Sequence, residues 1–585
     1  MKLLMSGNEA IARGAFEAGV TVAAGYPGTP STEVLENIVN YQGIKAQWSP
    51  NEKVALEVGL GAAIAGARVI VTMKHVGVNV AADPLFTASY TGIRGGLVLV
   101  SADDPGLHSS QNEQDNRYYG KFAKVPVLEP SDSQEAKDFV KLGMEISEQF
   151  DTPVILRTTT RIAHSQTLVE AGEPVKPVNY GYSKDEKKYV MVPANAKPRH
   201  TVVEKRREAL IQYSETTPLN KIYRAGTQVG VITSGICYEY VREAAPNATI
   251  LKLGMSNPIP PNLVRQFAAE VDKLYIVEEL EPFLEEQIKA LGIACVGKEV
   301  FPRMGEHTVH QLASVLAPGP SVIPEEQHVY REAPGRPPVL CPGCPHRGVF
   351  YTLKQLKLVV SGDIGCYTLG SLAPLSAIDT TVCMGYSIGG ALGMEKANPE
   401  LARRMVAVIG DSTFLHSGIT GLLDVVYNQG TTTVLILDNR ITAMTGQQQN
   451  PASGKDLMGN PAPQVDLEAL VKAIGVKRVR VVDPFDLSGL KKVIKEEVSA
   501  EEPSVVICRR PCVFVDPEPP KNAVEISEDC TGCKSCMQLG CPCLSHTGSK
   551  VSVDSNLCTG CNLCVSVCKF KAIIPASGKQ VKGNE

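Results

Sequence analysis

The sequence predicts a multidomain α/β protein built on doubly wound parallel sheets and ending in a small C-terminal α+β domain. Three observations carry that expectation. The chain has 585 residues, more than one hydrophobic core accommodates, so several domains must each bury their own. Short apolar runs alternate with helical patterns along most of its length, the order that produces βαβ units and parallel sheets. From residue 525 onward the chain is dense in cysteine and short of aliphatic side chains, a composition that folds only with staples or metals.

Taken in order, residues 7–18 have a helical pattern, and 21–24, 69–73 and 97–101 are strand-like runs separated by Gly-rich turns. They define a first α/β domain over 1–165. Over 166–225 Glu, Lys, Pro and Tyr become frequent and aliphatic runs shorten, which reads as an extended arm or linker without a core of its own. Strand-like runs at 229–233, 250–253 and 274–277, with helices between them, give another α/β domain over 226–317. A Pro-rich connector at 318–338 leads to a block over 340–516. Pro517-Glu518-Pro519-Pro520 then marks the boundary before a last domain over 525–576.

Composition excludes some partners. The formal net charge is −4 with no long basic run, so nucleic acid is not expected to bind. Arg68, Lys74 and Arg94 interrupt the best apolar runs well short of the ~20 residues a membrane helix needs. The N-terminus enters a helical pattern with an early acid and does not read as a signal peptide, so a cytoplasmic location is expected. In that setting 17 cysteines point to metal ligation or redox work rather than a disulfide framework.

Residues 405–449 concentrate polar chemistry. The run 405–409 reads as a buried strand ending at Gly410-Asp411-Ser412, 414–429 as a helix, and 433–437 as a second strand ending at Asp438-Asn439. Such a βαβ unit puts both polar signals at C-terminal strand ends, where open α/β sheets bind ligands. Asp411 and Asn439 are 28 positions apart in sequence but at neighbouring strand ends, so both oxygens can reach one small hard cation. Alone, Asp411 reads equally well as a strand-end acid making a turn.

The cysteines fall into three sets. Cys530, Cys533 and Cys536 follow Cys-x2-Cys-x2-Cys with Cys541-Pro542 behind them, and Cys558, Cys561, Cys564 and Cys568 repeat the pattern. Cys341-Pro342-Gly343-Cys344, Cys366 and Cys512 form a looser third set, which as bare residues could equally shape a turn and fill a core. Structural zinc is the bland alternative for the tail, but its sites carry less regular triple spacing. Cys237, Cys295, Cys383, Cys508 and Cys543 remain and are expected to be buried small residues.

The two tail runs resemble a bacterial two-cluster ferredoxin, in which the fourth cysteine of each run ligates the other cluster. By that resemblance one [4Fe–4S] cluster takes Cys530, Cys533, Cys536 and Cys568, and the other takes Cys558, Cys561, Cys564 and Cys541. Two departures stand out: the first run has an extra residue before its last cysteine, which makes Cys543 a competitor of Cys541, and Lys569 replaces the second proline. The Gly410-Asp411-Ser412…Asn439 stretch resembles the magnesium–diphosphate signature of thiamine diphosphate enzymes, with Ser412 in place of its final glycine.

Tyr26-Pro27-Gly28-Thr29-Pro30 and Asn51-Glu52-Lys53 resemble the pyrimidine-binding part of the 2-oxoacid:ferredoxin oxidoreductases. With the Cys341 opening and the two-run tail, the resemblance to that family runs the length of the chain. It implies thiamine diphosphate and Mg2+ held by Gly410, Asp411, Ser412, Asn439, the Ile441 carbonyl, Thr445 and Gly446, with His416 close by. It implies Glu52 at the aminopyrimidine, with Glu57 as the alternative, and Thr29 and His75 near the reacting centre. Arg117 is a candidate for the substrate carboxylate because a guanidinium pairs with it bidentately, an exposed loop arginine being the bland alternative. A third [4Fe–4S] cluster on Cys341, Cys344, Cys366 and Cys512 is also implied.

The implied reaction is oxidative decarboxylation of an aryl 2-oxoacid, of indolepyruvate or phenylpyruvate type, with coenzyme A to an aryl-acetyl-CoA and CO2, reducing ferredoxin. The family also implies a smaller beta subunit and a heterotetramer of two alpha and two beta chains. Three alternatives stay open: a different 2-oxoacid range, a non-oxidative decarboxylase with a structural tail, and an electron-transfer scaffold with a dead thiamine site.

Overall fold

The computed structural model describes residues 1–317, 337–515 and 522–575. Nearly all of the expected 318–338 connector, the Pro517-Glu518-Pro519-Pro520 boundary and the last residue of the 525–576 domain lie outside the described residues. The chain divides into two compact units, Met1–Val329 and Tyr330–Glu585.

The first unit is organised on a seven-stranded sheet. Its strand order is Met255–Asn257, Val127–Leu128, Val154–Thr159, Leu97–Asp103, Val69–Lys74, Val22–Gly25 and Lys45–Trp48. All neighbours are parallel except the edge strand Met255–Asn257, which pairs antiparallel with Val127–Leu128. The three central strands are buried along their whole length because helices cover both faces. Val69, Val71, Met73, Leu97 and Leu99 pack with Ala55, Leu56, Ala63 and Leu85 from the helices Glu52–Ile64 and Ala82–Thr91. On the opposite face Gly143, in the helix Ser133–Phe150, lies against Val98 and Val154, so a side chain there would collide with the sheet.

A second sheet in this unit runs Lys273–Val277, Val229–Thr233, Thr249–Leu253 and Asn220–Tyr223, parallel except for the last strand. Segment 166–225, expected as an arm, lends strands to its neighbours at both ends. Gln166–Glu170 pairs with Lys2–Ser6, and Asn220–Tyr223 joins the second sheet. Between them stands a 24-residue helix, Pro193–Thr216, which the sequence reading did not anticipate. Its only buried residues are Val203, Arg206, Leu210 and Ser214, a stripe too narrow and too polar to show as an amphipathic pattern.

The second unit holds a five-stranded parallel sheet in the order Val359–Ser361, Met405–Gly410, Thr433–Asp438, Ser504–Arg509 and Arg478–Val482. The helix expected to begin at Phe414 begins at Asp411, directly off the strand. It passes through a π-helical turn, Phe414–Gly418, before Ile419–Tyr427. Such π turns inside α-helices frequently mark functional sites. The tail has two small antiparallel pairs, Glu525–Ile526 with Ile573–Ile574 and Leu544–Thr547 with Lys550–Val553, and the short helix Leu563–Val567. Cys536, Cys564, Leu539, Leu544 and Val551 form its modest core. Among the described residues no helix is long and apolar enough to cross a membrane.

Candidate active site and cysteine centres

In the second unit Asp411 follows the strand Met405–Gly410 and is 2% exposed. Its carboxylate accepts from the backbone N–H of Ser412 and of Arg440, both at 2.8 Å. Burial, and then the neighbouring Asp438, pushes its pKa up to about 8. Asp438 ends the adjacent strand; one of its oxygens takes Arg509 at 2.7 Å and the other, buried, has no hydrogen-bond partner. Next to it, Asn439 Oδ1 accepts from Ile441 N–H at 3.2 Å, and its amide nitrogen lies 3.5 Å from His346 Nε2. Neighbouring strand ends thus present a buried acid and an amide oxygen with too little positive charge between them. Such a donor set suits a small hard cation.

The surroundings explain the motif residue by residue. A Cβ on Gly410 would fall 2.7 Å from the Tyr367 ring, so only glycine fits. Ser412, where the thiamine signature has glycine, has its hydroxyl 2.7 Å from Thr442 Oγ1. Thr442, next to buried Ile441, and Gln448 exchange backbone hydrogen bonds at 3.0 Å, closing the loop that carries Thr445 and Gly446, the latter at φ +122°. His416 is buried in the π turn, its Nδ1 at the Ser417 hydroxyl. Sequence reasoning missed Asp363, which is fully buried and accepts from Gly385 N–H at 2.8 Å and Ser387 N–H at 2.9 Å, fixing the start of the helix Tyr386–Ala397.

Cys341, Cys344, Cys366 and Cys512 come together in this unit. Burial pushes the Cys344 thiol up to about 12 and the Cys366 thiol up to about 11, and Cys341 and Cys512 add to both. Cys512 is raised too, by burial first, with Cys341 contributing. In the tail, Cys530, Cys533, Cys536 and Cys568 line one cavity. Cys541, Cys558, Cys561 and Cys564 line another, together with Cys543.

Among the described residues no three His, Cys, Asp or Glu side chains converge as around a single ion. The two cavities, each ringed by four or more thiols, fit a polynuclear cluster better than one zinc. The extra residue of the first run is taken up by a 3-10 turn, Cys536–Leu539, closed by Gly540 at φ +65°. Of the leftover cysteines Cys237, Cys508 and Cys543 are buried as expected, Cys543 also lining the second cavity, whereas Cys295 is half-buried and Cys383 is exposed on a loop.

In the first unit Glu52 opens the helix Glu52–Ile64, capped by Asn51 Oδ1 accepting from Val54 N–H at 2.9 Å. Glu52 is only 6% exposed, which separates it from an ordinary solvated first-turn acid. Its carboxylate packs on Gly77, where a Cβ would lie 2.7 Å from Glu52 Oε1. Glu57, the alternative, is exposed and pairs with Lys53. His75 is fully buried; burial, then Lys74, lowers its pKa to about 4, so it stays neutral.

Lys74 is a second buried polar residue that sequence reasoning passed over. It ends the strand Val69–Lys74, is nearly buried, and donates to Ser109 O at 2.6 Å and Ser109 Oγ at 3.2 Å. Ser109 Oγ in turn donates to the Thr29 carbonyl at 3.3 Å. Burial lowers Lys74 to about 8, opposed by Asp104.

Arg117 corrects an expectation. It is 1% exposed and does not face a substrate. Its guanidinium donates to Asp115, to Glu278 at 2.7 Å, and to the Glu279 and Glu281 carbonyls. Arg157 beside it binds Asp103 at 2.7 Å and Glu129 at 2.5 Å. Arg117 is tied up by Asp115, two positions before it, and by Glu278, 161 positions on, which local sequence does not reveal.

Comparison with known proteins gives domain matches over the stretches that carry these residues. Residues 363–508 match the thiamine pyrophosphate enzyme C-terminal TPP binding domain. Residues 13–228 match the thiamine diphosphate-binding domain of pyruvate flavodoxin/ferredoxin oxidoreductases, and 551–574 a 4Fe-4S binding domain. These define the class: a thiamine diphosphate-binding, iron–sulfur oxidoreductase of the 2-oxoacid type. Indolepyruvate oxidoreductase subunit IorA of Archaeoglobus fulgidus is 40% identical over 98% of this chain and 98% of its own. The same subunit of Pyrococcus horikoshii is 40% identical over 98% and 96%. The chain belongs to the indolepyruvate oxidoreductase subunit IorA family. A more distant relative, 2-oxoglutarate synthase subunit KorA of Methanothermobacter thermautotrophicus, is 24% identical over 53% of this chain and 96% of its own.

Proposed function

We propose that this chain is the catalytic subunit that oxidatively decarboxylates aryl 2-oxoacids, of indolepyruvate or phenylpyruvate type, with coenzyme A to aryl-acetyl-CoA and CO2, passing the electrons to ferredoxin. One observation carries the reading: a single unit holds both the under-neutralised Asp411–Asn439 strand ends and the cysteine-lined cavities. Thiamine diphosphate, when bound, supplies the carbon nucleophile and electron sink for loss of CO2. Asp411, Asn439 and the Ile441 carbonyl hold Mg2+, and Gly410, Ser412, Thr445 and Gly446 receive the diphosphate, with His416 alongside. Glu52 exchanges a proton with the aminopyrimidine, and its burial against Gly77 keeps it out of water. Thr29 and neutral His75 border the reacting centre, and Lys74 replaces Arg117 as the cation for the substrate carboxylate.

The cysteine sets would hold clusters that supply one-electron transfer: one on Cys341, Cys344, Cys366 and Cys512, one on Cys541, Cys558, Cys561 and Cys564, and one on Cys530, Cys533, Cys536 and Cys568. Residues 1–165 serve as the pyrimidine domain, 340–516 as the diphosphate domain and 525–576 as the two-cluster domain, with 166–225 and 226–317 as arm and accessory α/β domain. A smaller beta subunit completes a heterotetramer. A reducing, cytoplasmic setting suits thiols kept for ligation.

The test is a turnover panel of indolepyruvate, phenylpyruvate, pyruvate and 2-oxoglutarate, with the beta subunit, coenzyme A and a viologen dye. Coenzyme A-dependent dye reduction, fastest with the aryl acids, is expected. CO2 release without dye reduction would make the chain a non-oxidative decarboxylase; failure to bind thiamine diphosphate with Mg2+ would make it an electron-transfer scaffold. Glu52→Gln is expected to keep cofactor binding and lose at least about 100-fold in turnover.

A further inference from the structure

Arg347 stands in the first turn of the helix His346–Leu356 and is 3% exposed. A buried guanidinium is costly unless an opposite charge accompanies it. Yet each hydrogen bond it makes among the described residues goes to a backbone carbonyl, none to a carboxylate. Nε donates to Cys341 O at 3.3 Å and Nη2 to Cys341 O at 3.2 Å and to Leu340 O. Nη1 donates to Leu539 O at 2.9 Å and Gly540 O at 2.6 Å.

Those carbonyls belong to two segments far apart in sequence. Leu340 and Cys341 begin the turn that carries Cys341 and Cys344; Leu539 and Gly540 immediately precede Cys541. One side chain therefore clamps one cysteine centre to the next. Gly343 shows how close the approach is: at φ +72°, its Cβ would lie 2.5 Å from Thr559 Oγ1, beside Cys558. Arg347, Pro342 and Gly343 line the same cavity as Cys541, Cys558, Cys561 and Cys564. Neutral carbonyls orient a cation without cancelling it. A four-thiolate [4Fe–4S] cluster is net negative, and more so by one charge when reduced, so two of them supply the missing counter-charge.

We infer that Arg347 is a positioning residue that links the cluster on Cys341, Cys344, Cys366 and Cys512 to the one on Cys541, Cys558, Cys561 and Cys564. Its cation stabilises the reduced form of both, and its two-sided clamp fixes their separation. One electron passes from the reduced cluster to the oxidised one; no bond forms or breaks, and the electrons enter from the 2-oxoacid and leave to ferredoxin. This rests on the cluster reading above.

The experiment uses the full chain purified anaerobically. Iron analysis comes first: about eight Fe rather than about twelve would remove the Cys341 cluster, and the cluster reading would fail before any variant is made. With twelve, redox titration followed by electron paramagnetic resonance compares wild type, Arg347→Gln and Arg347→Lys. Arg347→Gln is expected to lower the potentials of the two linked clusters by roughly tenfold in the one-electron equilibrium, about 59 mV, leaving the Cys530 cluster unmoved. Arg347→Lys keeps the charge but cannot span both carbonyl pairs. It is expected to hold the potentials and weaken the magnetic coupling between the two reduced clusters. Full iron with unchanged potentials in Arg347→Gln overturns the charge role. Unchanged coupling in Arg347→Lys overturns the clamp, and that variant decides alone if Arg347→Gln does not load iron.

Discussion

Two regions of the molecule bury acids at the C-terminal ends of parallel strands, and they resolve the charge in opposite ways. In the first unit Asp103, Asp115, Glu129 and Glu278 surround Arg117 and Arg157. Burial alone would raise Asp115, but the two guanidiniums outweigh it and hold the carboxyl below its usual range. Even so, burial, with Asp115 adding to it against Arg157, leaves Asp103 raised to about 6. In the second unit Arg509 reaches Asp438 only, and Asp411 rises to about 8. Equal burial with unequal neutralisation separates a structural network from a place that calls for an external cation. It also explains why Arg117 is unsuited to a substrate: removing it would strand the acids it holds.

The largest expected effect breaks the first half of that comparison. Arg117→Met leaves Asp115 and Glu278 buried without their partner, and should cost about 3–5 kcal/mol in the first unit. Denaturant unfolding of that unit measures it, and folded protein should still bind Mg2+ and thiamine diphosphate normally. Next, Asp411→Asn should lose Mg2+-dependent thiamine diphosphate binding by calorimetry and more than about 100-fold in turnover. At pH 9, above the Asp411 pKa of about 8, it removes an under-neutralised buried charge at the expense of one backbone hydrogen bond, so the cofactor-free protein should melt no lower than wild type there. A lower melting point for the cofactor-free variant would place Asp411 with the structural acids instead.

A pH series sharpens the contrast. Asp411 has a folded pKa of about 8, above the ~3.9 of an unfolded aspartate. Between those values the folded chain binds more protons than the unfolded one, so this group's contribution to stability falls as pH rises across the window. Mg2+ must displace that proton, so the stabilisation it gives with thiamine diphosphate should grow from pH 5 to pH 8. Melting temperatures with and without the cofactor at both pH values test the sign; equal protection at both would count against Asp411 as the ligand.

Much of this was legible because it is local. The run at 229–233 coincides with the strand Val229–Thr233, and alternation of apolar runs with helices gave the parallel sheets. Asp411 and Asn439 could be placed at adjacent strand ends because a βαβ unit converts sequence spacing into spatial neighbourhood. What local pattern cannot carry was missed. Glu278 lies 161 positions from Arg117, and nothing near either residue announces the pair. Lys74 reads in sequence as a charge that breaks an apolar run, and only the fold shows it buried beside Ser109 and Thr29. Met255–Asn257 pairs across sheets, and no periodicity in three residues could foretell that.

The smallest expected effect concerns Ser412, where the chain departs from the thiamine signature. Its hydroxyl meets Thr442 Oγ1 at 2.7 Å, and Thr442 closes the loop behind Asn439 and Ile441. Ser412→Gly removes a neutral hydrogen bond, worth about 1 kcal/mol, and touches neither Asp411 nor Asn439. Affinity for Mg2+ and thiamine diphosphate should therefore fall less than about tenfold. Thr442→Val also removes the acceptor of Asn450 Nδ2 at 3.4 Å and should cost somewhat more, and the double variant little more than Thr442→Val alone, because both changes remove the Ser412–Thr442 bond. An additive double variant, or a hundredfold loss from Ser412→Gly by itself, would mean that the serine acts on the cofactor directly. The site would then depend on a third side chain that the Asp411–Asn439 comparison leaves out.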